Sequence, residues 1–154
     1  MPKVTKTTKR YYKKDKYSIE QRAGYLDIPA SSQAWSAIVA ESGVEGMRKV
    51  KHLTVSLASQ EGSTANVGFA YWALVYVPQG TQPNTLSIGG ATMYEPNQFV
   101  MNCGVADFSG GPLRFTSPIS RNLNSGDKII LIMTNGADSE RRHWFTVRYA
   151  ICYN

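Results

Sequence analysis

The stretch VKHLTVSLAS, residues 50–59, alternates between apolar and polar side chains. Leu53, Val55 and Leu57 fall on one side of it, and hydroxyl-bearing residues fall on the other. A two-residue period is that of a β-strand with one face on a core and the other face in water or against a partner. This stretch therefore predicts a half-buried strand.

The stretch FAYWALVYV, residues 69–77, is apolar on both of its faces. A strand at the surface of a two-sheet sandwich normally has one polar face, so burial of both faces requires a cover. The sequence predicts that another loop or another subunit supplies this cover. The turn-forming run PQGT at residues 78–81 ends the strand.

The rest of the chain carries short β-branched and aromatic runs, separated by turns rich in Gly, Ser, Thr, Asn and Pro. The run NLNSGD at residues 122–127 is predicted to be such a turn. Further strands are predicted at residues 19–28, 34–40, 98–105, 113–119, 128–134 and 142–153.

Eight strands and scarce helical signals predict one all-β domain over residues 17–154, an eight-stranded antiparallel jelly-roll sandwich. An immunoglobulin-like sandwich is the alternative. That fold usually places a core tryptophan between two cysteines that are distant in sequence. Here Trp144 lies only eight residues before Cys152, so the jelly roll is preferred.

The first sixteen residues, MPKVTKTTKRYYKKDK, form a basic arm with seven of the 17 Lys and Arg residues and one of the 11 acids. Residues 17–154 then hold ten cations and ten acids, so the formal charge of +6 belongs to the arm. The arm has too little apolar surface to offset the entropy of ordering and no helical apolar stripe, so we expect it to be disordered when free.

Spread cations of this kind favour phosphate contacts, and tyrosines among them favour stacking on unpaired bases. A nuclear-import signal and a solubilising tail are the other interpretations of the arm. Its candidate nucleic-acid-binding residues are Lys3, Lys6, Lys9, Arg10, Tyr11, Tyr12, Lys13, Lys14 and Lys16.

A second basic cluster lies at the start of the alternating strand and consists of Arg48, Lys49, Lys51 and His52, of which the first three are candidate nucleic-acid-binding residues. It is either the solvated polar end of that strand or a wall that meets nucleic acid beside the arm. Arg141 and Arg142 have Asp138 and Glu140 close in sequence, and local ion pairing is expected there.

The chain contains none of the common motifs for phosphate cradles, nucleophile elbows or metalloproteases. Its two histidines, His52 and His143, are not matched to a nucleophile by any motif, and its acids and cysteines do not cluster as metal ligands. We therefore expect no catalytic residue, no metal site and no cofactor, and leave a calcium site in a loop open.

No apolar segment follows the basic N-terminus as in a secretory signal, and no apolar run is long enough to cross a bilayer. Cys103 and Cys152 lie in strand-like apolar contexts and are expected to be buried free thiols, with a disulfide between them as the alternative. These features predict a protein of the cytosol or nucleus without membrane insertion.

Four stretches, in order after a short basic arm, resemble a known protein family. They are RKVKHLTVSLA at 48–58, WALVYVPQGTQPNTL at 72–86, MYEPNQFVMNCGV at 93–105 and SRNLNSGDKIILIM at 120–133. The family is that of the capsid proteins of small Rep-encoding circular single-stranded DNA viruses, the circovirus-like group. The resemblance covers most of residues 40–135.

This resemblance implies a jelly-roll subunit that self-assembles, in about sixty copies, into a small icosahedral shell around circular single-stranded DNA. It implies that the arm lines the inside of the shell and doubles as a nuclear-import signal. The protein would then reside in the virion, pass through the host cytoplasm and nucleus, and meet an unknown host receptor. The arm is short and Lys-rich here, whereas better-known circoviruses carry a long Arg-rich one.

Other functions stay open on the residues alone. A soluble single-stranded nucleic-acid-binding β-barrel module would bind through its body, although the predicted strands carry few basic–aromatic pairs. A jelly-roll lectin or attachment protein would stack a surface aromatic such as Tyr94 on sugar. The coat protein of a small RNA satellite virus is a variant of the capsid hypothesis, because phosphate contacts do not distinguish RNA from DNA.

Overall fold

The computed structural model describes residues 16–59, 69–83 and 99–153, which form nine strands in two antiparallel sheets. A single turn of 3-10 helix, Phe108–Gly110, lies among them. The strands are β1 (Ser18–Ile28), β2 (Ser32–Val39), β3 (Arg48–Ser59), β4 (Phe69–Val77), β5 (Phe99–Asp107), β6 (Leu113–Ser117), β7 (Arg121–Leu123), β8 (Lys128–Asn135) and β9 (Arg141–Tyr153).

The first sheet has the order β1-β9-β3-β6, with β7 also paired to β3, and the second sheet has the order β2-β8-β4-β5. The pairings are nested along the chain. Strand β1 pairs with β9, β2 with β8, β3 with β6 and β7, and β4 with β5. The first four strands therefore pair with the later ones in reverse order, as in one long hairpin rolled into two layers.

The hydrophobic core lies between the two sheets. Leu53, Val55 and Leu57 of β3 are fully buried in it, which confirms the alternation seen in the sequence. Leu74 of β4 and Leu131 of β8 join the same cluster from the second sheet. Because a slip of one residue in β3 would turn its apolar set to the solvent, this face fixes the register of the strand.

The second sheet is buried on both faces at its centre, as predicted for residues 69–77. Ala73 and Val75 of β4 and Ile130 and Ile132 of β8 form a second apolar cluster, on the side of the sheet away from the core, and each is at most 3% exposed. Partly buried side chains from the neighbouring strands β2 and β5 pack against this cluster. A single chain therefore buries the strip without a second subunit.

The described residues contain nine strands where the sequence predicted eight. The additional strand is β7, Arg121–Leu123, which overlaps the run at 122–127 predicted to be a turn. It pairs with Arg48–Val50 on β3, and Leu123 is fully buried. Leu123 packs in the core although its neighbours are residues typical of turns, so the strand continues to Leu123 and the turn begins after it.

Asp127 holds together one end of the sandwich. It is 3% exposed, and its carboxylate accepts hydrogen bonds from the Tyr76 hydroxyl at 2.8 Å and from the backbone N–H groups of Gln79 at 3.0 Å and Asn124 at 2.8 Å. Burial, with this carboxylate beside it, raises the pKa of Tyr76 to about 12. The contacts tie the end of β4 to the loop before β8.

Candidate nucleic-acid interface

The first sheet presents a polar outer face, which we call the first-sheet face and define as the outward side chains of β1, β9, β3 and β6. The strand register aligns Arg148 with Thr54 and Arg114 with Ser56. Thr54 and Thr116 share a hydrogen bond of 3.1 Å between their Oγ1 atoms. Hydroxyls and guanidinium groups are both donors that suit phosphate oxygens.

Positive charge is concentrated on this face. Its cations are Lys49, Lys51, Arg114, Arg142 and Arg148. Its one carboxylate is Asp27, so five cations less one acid give a formal charge of +4. Half of the ten cations outside the arm thus lie on one face of a body whose total charge is zero.

Four of these five cations have no carboxylate partner within the described ranges. The ion pairs found there join Arg142 to Asp27 and Lys128 to Glu41. Arg114 and Arg148 are exposed, whereas Lys49 and Lys51 are partly buried along their stems. Unpaired cations on a sheet face attract polyanions through the release of counterions.

A β-bulge at His52 aims the two lysines outward. Strict alternation would place Lys51 on the same side as Leu53, inside the core. The pairing of β3 with β9 shifts register between Lys51 and Thr54, and His52 has a positive φ of 55°. The inserted residue lets Val50 and Leu53 both face the core, while Lys51 and Thr54 both face outward.

The Arg48 side chain lies apart from those of Lys49 and Lys51, its neighbours in the second basic cluster. It is 8% exposed and points toward the protein interior. Its guanidinium donates to the carbonyl oxygens of Ala40 at 2.9 Å and Asp127 at 3.1 Å. The structure therefore places Lys49 and Lys51 on the charged face and gives Arg48 a position in which it bridges two loops.

A shallow hollow of about 510 Å³ lies in the middle of the first-sheet face. Its polar lining consists of Gln21, Thr54, Ser56, Thr146 and three arginines, Arg22, Arg114 and Arg148. Apart from the three arginines these polar side chains are neutral donors and acceptors, so the hollow suits a flat polar or anionic ligand more than an apolar one.

The basic arm joins the body at the edge of this face. Lys16 and Tyr17 immediately precede β1, and the Lys51 ammonium lies 3.6 Å from the centroid of the Tyr17 ring. This cation–π contact fixes the start of the arm beside the lysines. The other candidate residues of the arm, Lys3, Lys6, Lys9, Arg10, Tyr11, Tyr12, Lys13 and Lys14, lie outside the described residues.

Aromatic side chains lie toward the opposite end of the face. Tyr25 of β1 and Trp144 of β9 are aligned by the register, with ring centroids 5.3 Å apart. Arg142 packs near both rings and binds Asp27, not its sequence neighbours, with Nε–Oδ1 at 2.6 Å. The hydrogen bond from Arg142 lowers the pKa of Asp27. Sequence reasoning missed this cluster, because only strand pairing brings residues so far apart in sequence together.

In the described part of the chain, no three His, Cys, Asp or Glu residues are grouped to hold a metal ion. His143 is 2% exposed, and burial, with the charge of Arg141 adding to it, lowers its pKa to about 4. No hydrogen-bond partner reaches either ring nitrogen. This histidine is a neutral core residue whose ring is tilted against that of Phe108, with the ring centroids 5.4 Å apart.

Two further sequence expectations concern the cysteines and membranes. Cys152 is buried as predicted, but Cys103 is exposed because it lies on the outer side of β5; the two form no disulfide. Within the described ranges, no helix has the length and apolar character needed to cross a bilayer.

In comparisons with known proteins, no family model and no curated protein matches the chain.

Proposed function

We propose that this chain is a viral capsid protein that self-assembles into a small shell and packages single-stranded DNA through its basic arm and first-sheet face. The resemblance in four sequence stretches favours the circovirus-like group. The shell would be icosahedral, with about sixty copies of the subunit.

The strand order supports a jelly roll. Strands β6 and β7 pair with consecutive parts of the same edge of β3, so they are counted as one interrupted strand. The count then becomes eight, in two sheets of four. The nested pairing of a rolled hairpin is the arrangement that makes a double-sheet jelly roll, a fold common in viral capsids.

The observation that carries the packaging proposal is the junction of arm and face. Tyr17 contacts Lys51, so the +6 arm leaves the body beside a face of charge +4. One polyanion can therefore contact both without crossing the body. Lysine-rich segments and exposed arginines bind phosphates without regard to base sequence, as packaging of a whole genome requires.

Charge arithmetic supports cooperation between arm and face. Seven arm cations in about sixty copies neutralise roughly 400 phosphates. The four unpaired cations of the first-sheet face add roughly 240 more in the same number of copies. A genome of a thousand or so nucleotides would still need mobile cations, but the deficit is smaller with the face than with the arm alone.

The outer side of the second sheet supports self-association. Phe69 and Tyr71 of β4 and Val105 of β5 lie beside its buried apolar strip and are between 44% and 63% exposed. An apolar patch of this kind on a body without net charge suits contact with another copy of the chain, since no long-range repulsion opposes it.

A soluble single-stranded nucleic-acid-binding module is the second candidate, and the charged first-sheet face with its aromatic cluster favours it specifically. Both candidates bind nucleic acid, and only the capsid protein must assemble. An RNA satellite coat protein would behave as the first candidate with a different genome.

Electron microscopy of the full-length chain, purified in moderate salt, tests the proposal together with a variant lacking residues 1–16. We expect uniform round particles from both proteins, with nuclease-protected nucleic acid only in the full-length particles or far more of it there. A small monodisperse species across salt and pH would refute the capsid proposal and leave the binding module. Digestion of the protected nucleic acid with DNase or RNase identifies the genome.

A further inference from the structure

Tyr25 and Trp144 are exposed where a folded protein would ordinarily bury them. They are 51% and 46% exposed, and their rings lie at 59° to one another on neighbouring strands. Neither belongs to the two apolar clusters of the fold. Part of the surface of each ring is therefore open to a flat partner.

Arg142 and Asp27 hold these rings in place. The guanidinium donates to both carboxylate oxygens, with Nε–Oδ1 at 2.6 Å and Nη2–Oδ2 at 2.8 Å. Its carbon lies 4.3 Å from the Tyr25 centroid and 5.7 Å from that of Trp144. Because the charge of Arg142 is matched by that of Asp27, this end of the face is close to neutral and suits bases better than phosphates.

The phosphate-binding donors lie next to this neutral end. Arg148 is four residues from Trp144 on the same face of β9, a distance of about 13 Å along the strand. Arg114 lies two strands from Thr146, level with Ser56. A nucleic-acid strand whose phosphates contact the arginines would bring its bases to the aromatic rings.

We propose that Tyr25 and Trp144 form a base-stacking platform that makes the first-sheet face selective for single-stranded over duplex nucleic acid. This inference rests on the nucleic-acid part of the proposed function and adds the two residues of the face that would select for single strands. Unpaired bases expose a π-face to aromatic side chains, whereas duplex bases are already stacked on one another. The cations of the arm, which are expected to contact phosphates, would not discriminate in this way.

The test measures binding of a fluorescent thymidine oligonucleotide of about twenty nucleotides, and of a duplex of the same length, to the full-length chain by anisotropy. Trp144→Ala is compared with Trp35→Ala, a matched control. Trp35 is 45% exposed, lies on the second sheet and also has a lysine nearby, with Lys128 Nζ 5.5 Å from its ring. Each variant is first shown by circular dichroism to be folded and by chromatography to have the same size as the parent.

We expect Trp144→Ala to weaken single-strand binding between about fivefold and hundredfold and to leave duplex binding within about twofold. Trp35→Ala should change neither. If Trp144→Ala does not fold, Tyr25→Leu on the edge strand makes the same test, and ultraviolet cross-linking of the parent should attach thymidine to peptides containing Tyr25 or Trp144.

Equal effects of Trp144→Ala and Trp35→Ala, equal losses on single strands and duplex, or cross-links confined to other peptides would each overturn the platform. A loss of self-association at unchanged oligonucleotide affinity would make it a contact between subunits instead. Failure of the whole proposed function is distinguishable from these results, because the parent chain would then bind neither ligand at moderate salt.

Discussion

The outer faces of the two sheets differ in composition although they occupy equivalent positions in the sandwich. The first-sheet face carries five cations and a row of hydroxyls around a shallow hollow. The outer side of the second sheet carries a buried apolar strip, which includes Ile130 and Val75, within a rim of exposed rings and Val105. One face is thus suited to a polyanion and the other to an apolar surface.

The comparison shows that the net charge of a domain conceals the distribution of that charge. A body with ten cations and ten acids is neutral by composition. The fold nevertheless collects half of the cations on one face, beside the basic arm. A uniformly neutral surface would leave the arm as the one site for nucleic acid, whereas this segregation gives the arm a second binding surface.

The largest expected difference between the faces is in stability. Ile130→Ala removes a fully buried side chain from the second sheet and should lower the free energy of unfolding by about 3 kcal/mol. Ser56→Ala, at the centre of the first-sheet face, should change it by less than about 0.5 kcal/mol. Urea unfolding of both variants measures the contrast, and similar losses would mean that the two faces are packed alike.

A smaller effect on stability is expected from His143, which lies in the core between the two faces. The pKa of His143 falls from 6.5 to about 4 on folding, so between these pH values the unfolded chain binds a proton that the folded chain does not. Stability should therefore fall as the pH drops through this window, by on the order of 2 kcal/mol at its acid end. His143→Phe should remove this part of the pH dependence. An unchanged slope in that variant would show that other groups cause it.

The bulge that turns the lysines outward should be sensitive to the residue at its centre. His52→Val places a β-branched side chain at a φ of 55° and should destabilise the fold by about 1–2 kcal/mol. His52→Gly accepts this φ and should be close to neutral. Oligonucleotide binding should weaken in the Val variant alone. Equal behaviour of the two variants would show that the backbone at His52 does not control the lysines.

The smallest effects should come from single cations. Arg114→Ala and Arg148→Ala should each reduce the slope of log affinity against log salt by about one for a single-stranded oligonucleotide. Lys128→Ala removes a cation from the second sheet, where it pairs with Glu41, and should leave the slope unchanged. Thermal melting should be nearly the same for all three variants. A loss in Lys128→Ala as large as in the arginine variants would mean that binding follows total charge and not the first-sheet face.

Much of the fold could be predicted from periodicity. Leu53, Val55 and Leu57 identified β3 and its buried side, and the doubly apolar run at Phe69–Val77 identified a strand covered on both faces. The short strand β7 was missed, because turn-forming residues surround its one anchoring leucine. A two-residue alternation of apolar and polar side chains predicts a strand well. It does not predict a strand such as β7, which is short and made mostly of residues typical of turns.

The candidate site was harder to predict than the fold. Lys49 and Lys51 were identified as a cluster, but Arg48 beside them points inward to Asp127. The bulge at His52 decides which of these side chains face the core, and a bulge has no periodic signature in the sequence. The cation Arg148 became part of the site only when β9 was aligned with β3. The sequence signal for Arg148 was its position among the polar residues that alternate with the buried residues of β9.

The stretches that carry the family resemblance meet at a structural contact. Asp127, the partner of Tyr76 and Gln79, also accepts from Arg48 through its carbonyl oxygen. Three of the four stretches are thus joined around one buried aspartate. Their contacts maintain the fold at this end of the sandwich.

Electron cryomicroscopy of particles assembled from the full-length chain tests the central claim most directly, because it shows which face of the subunit meets the packaged nucleic acid. We predict that the first-sheet face lines the interior, with nucleic-acid density over Arg114, Arg148 and Trp144. We predict also that the outer side of the second sheet faces away from that density. Particles with the second sheet facing the genome would contradict the account, as would a chain that forms no particles under any condition.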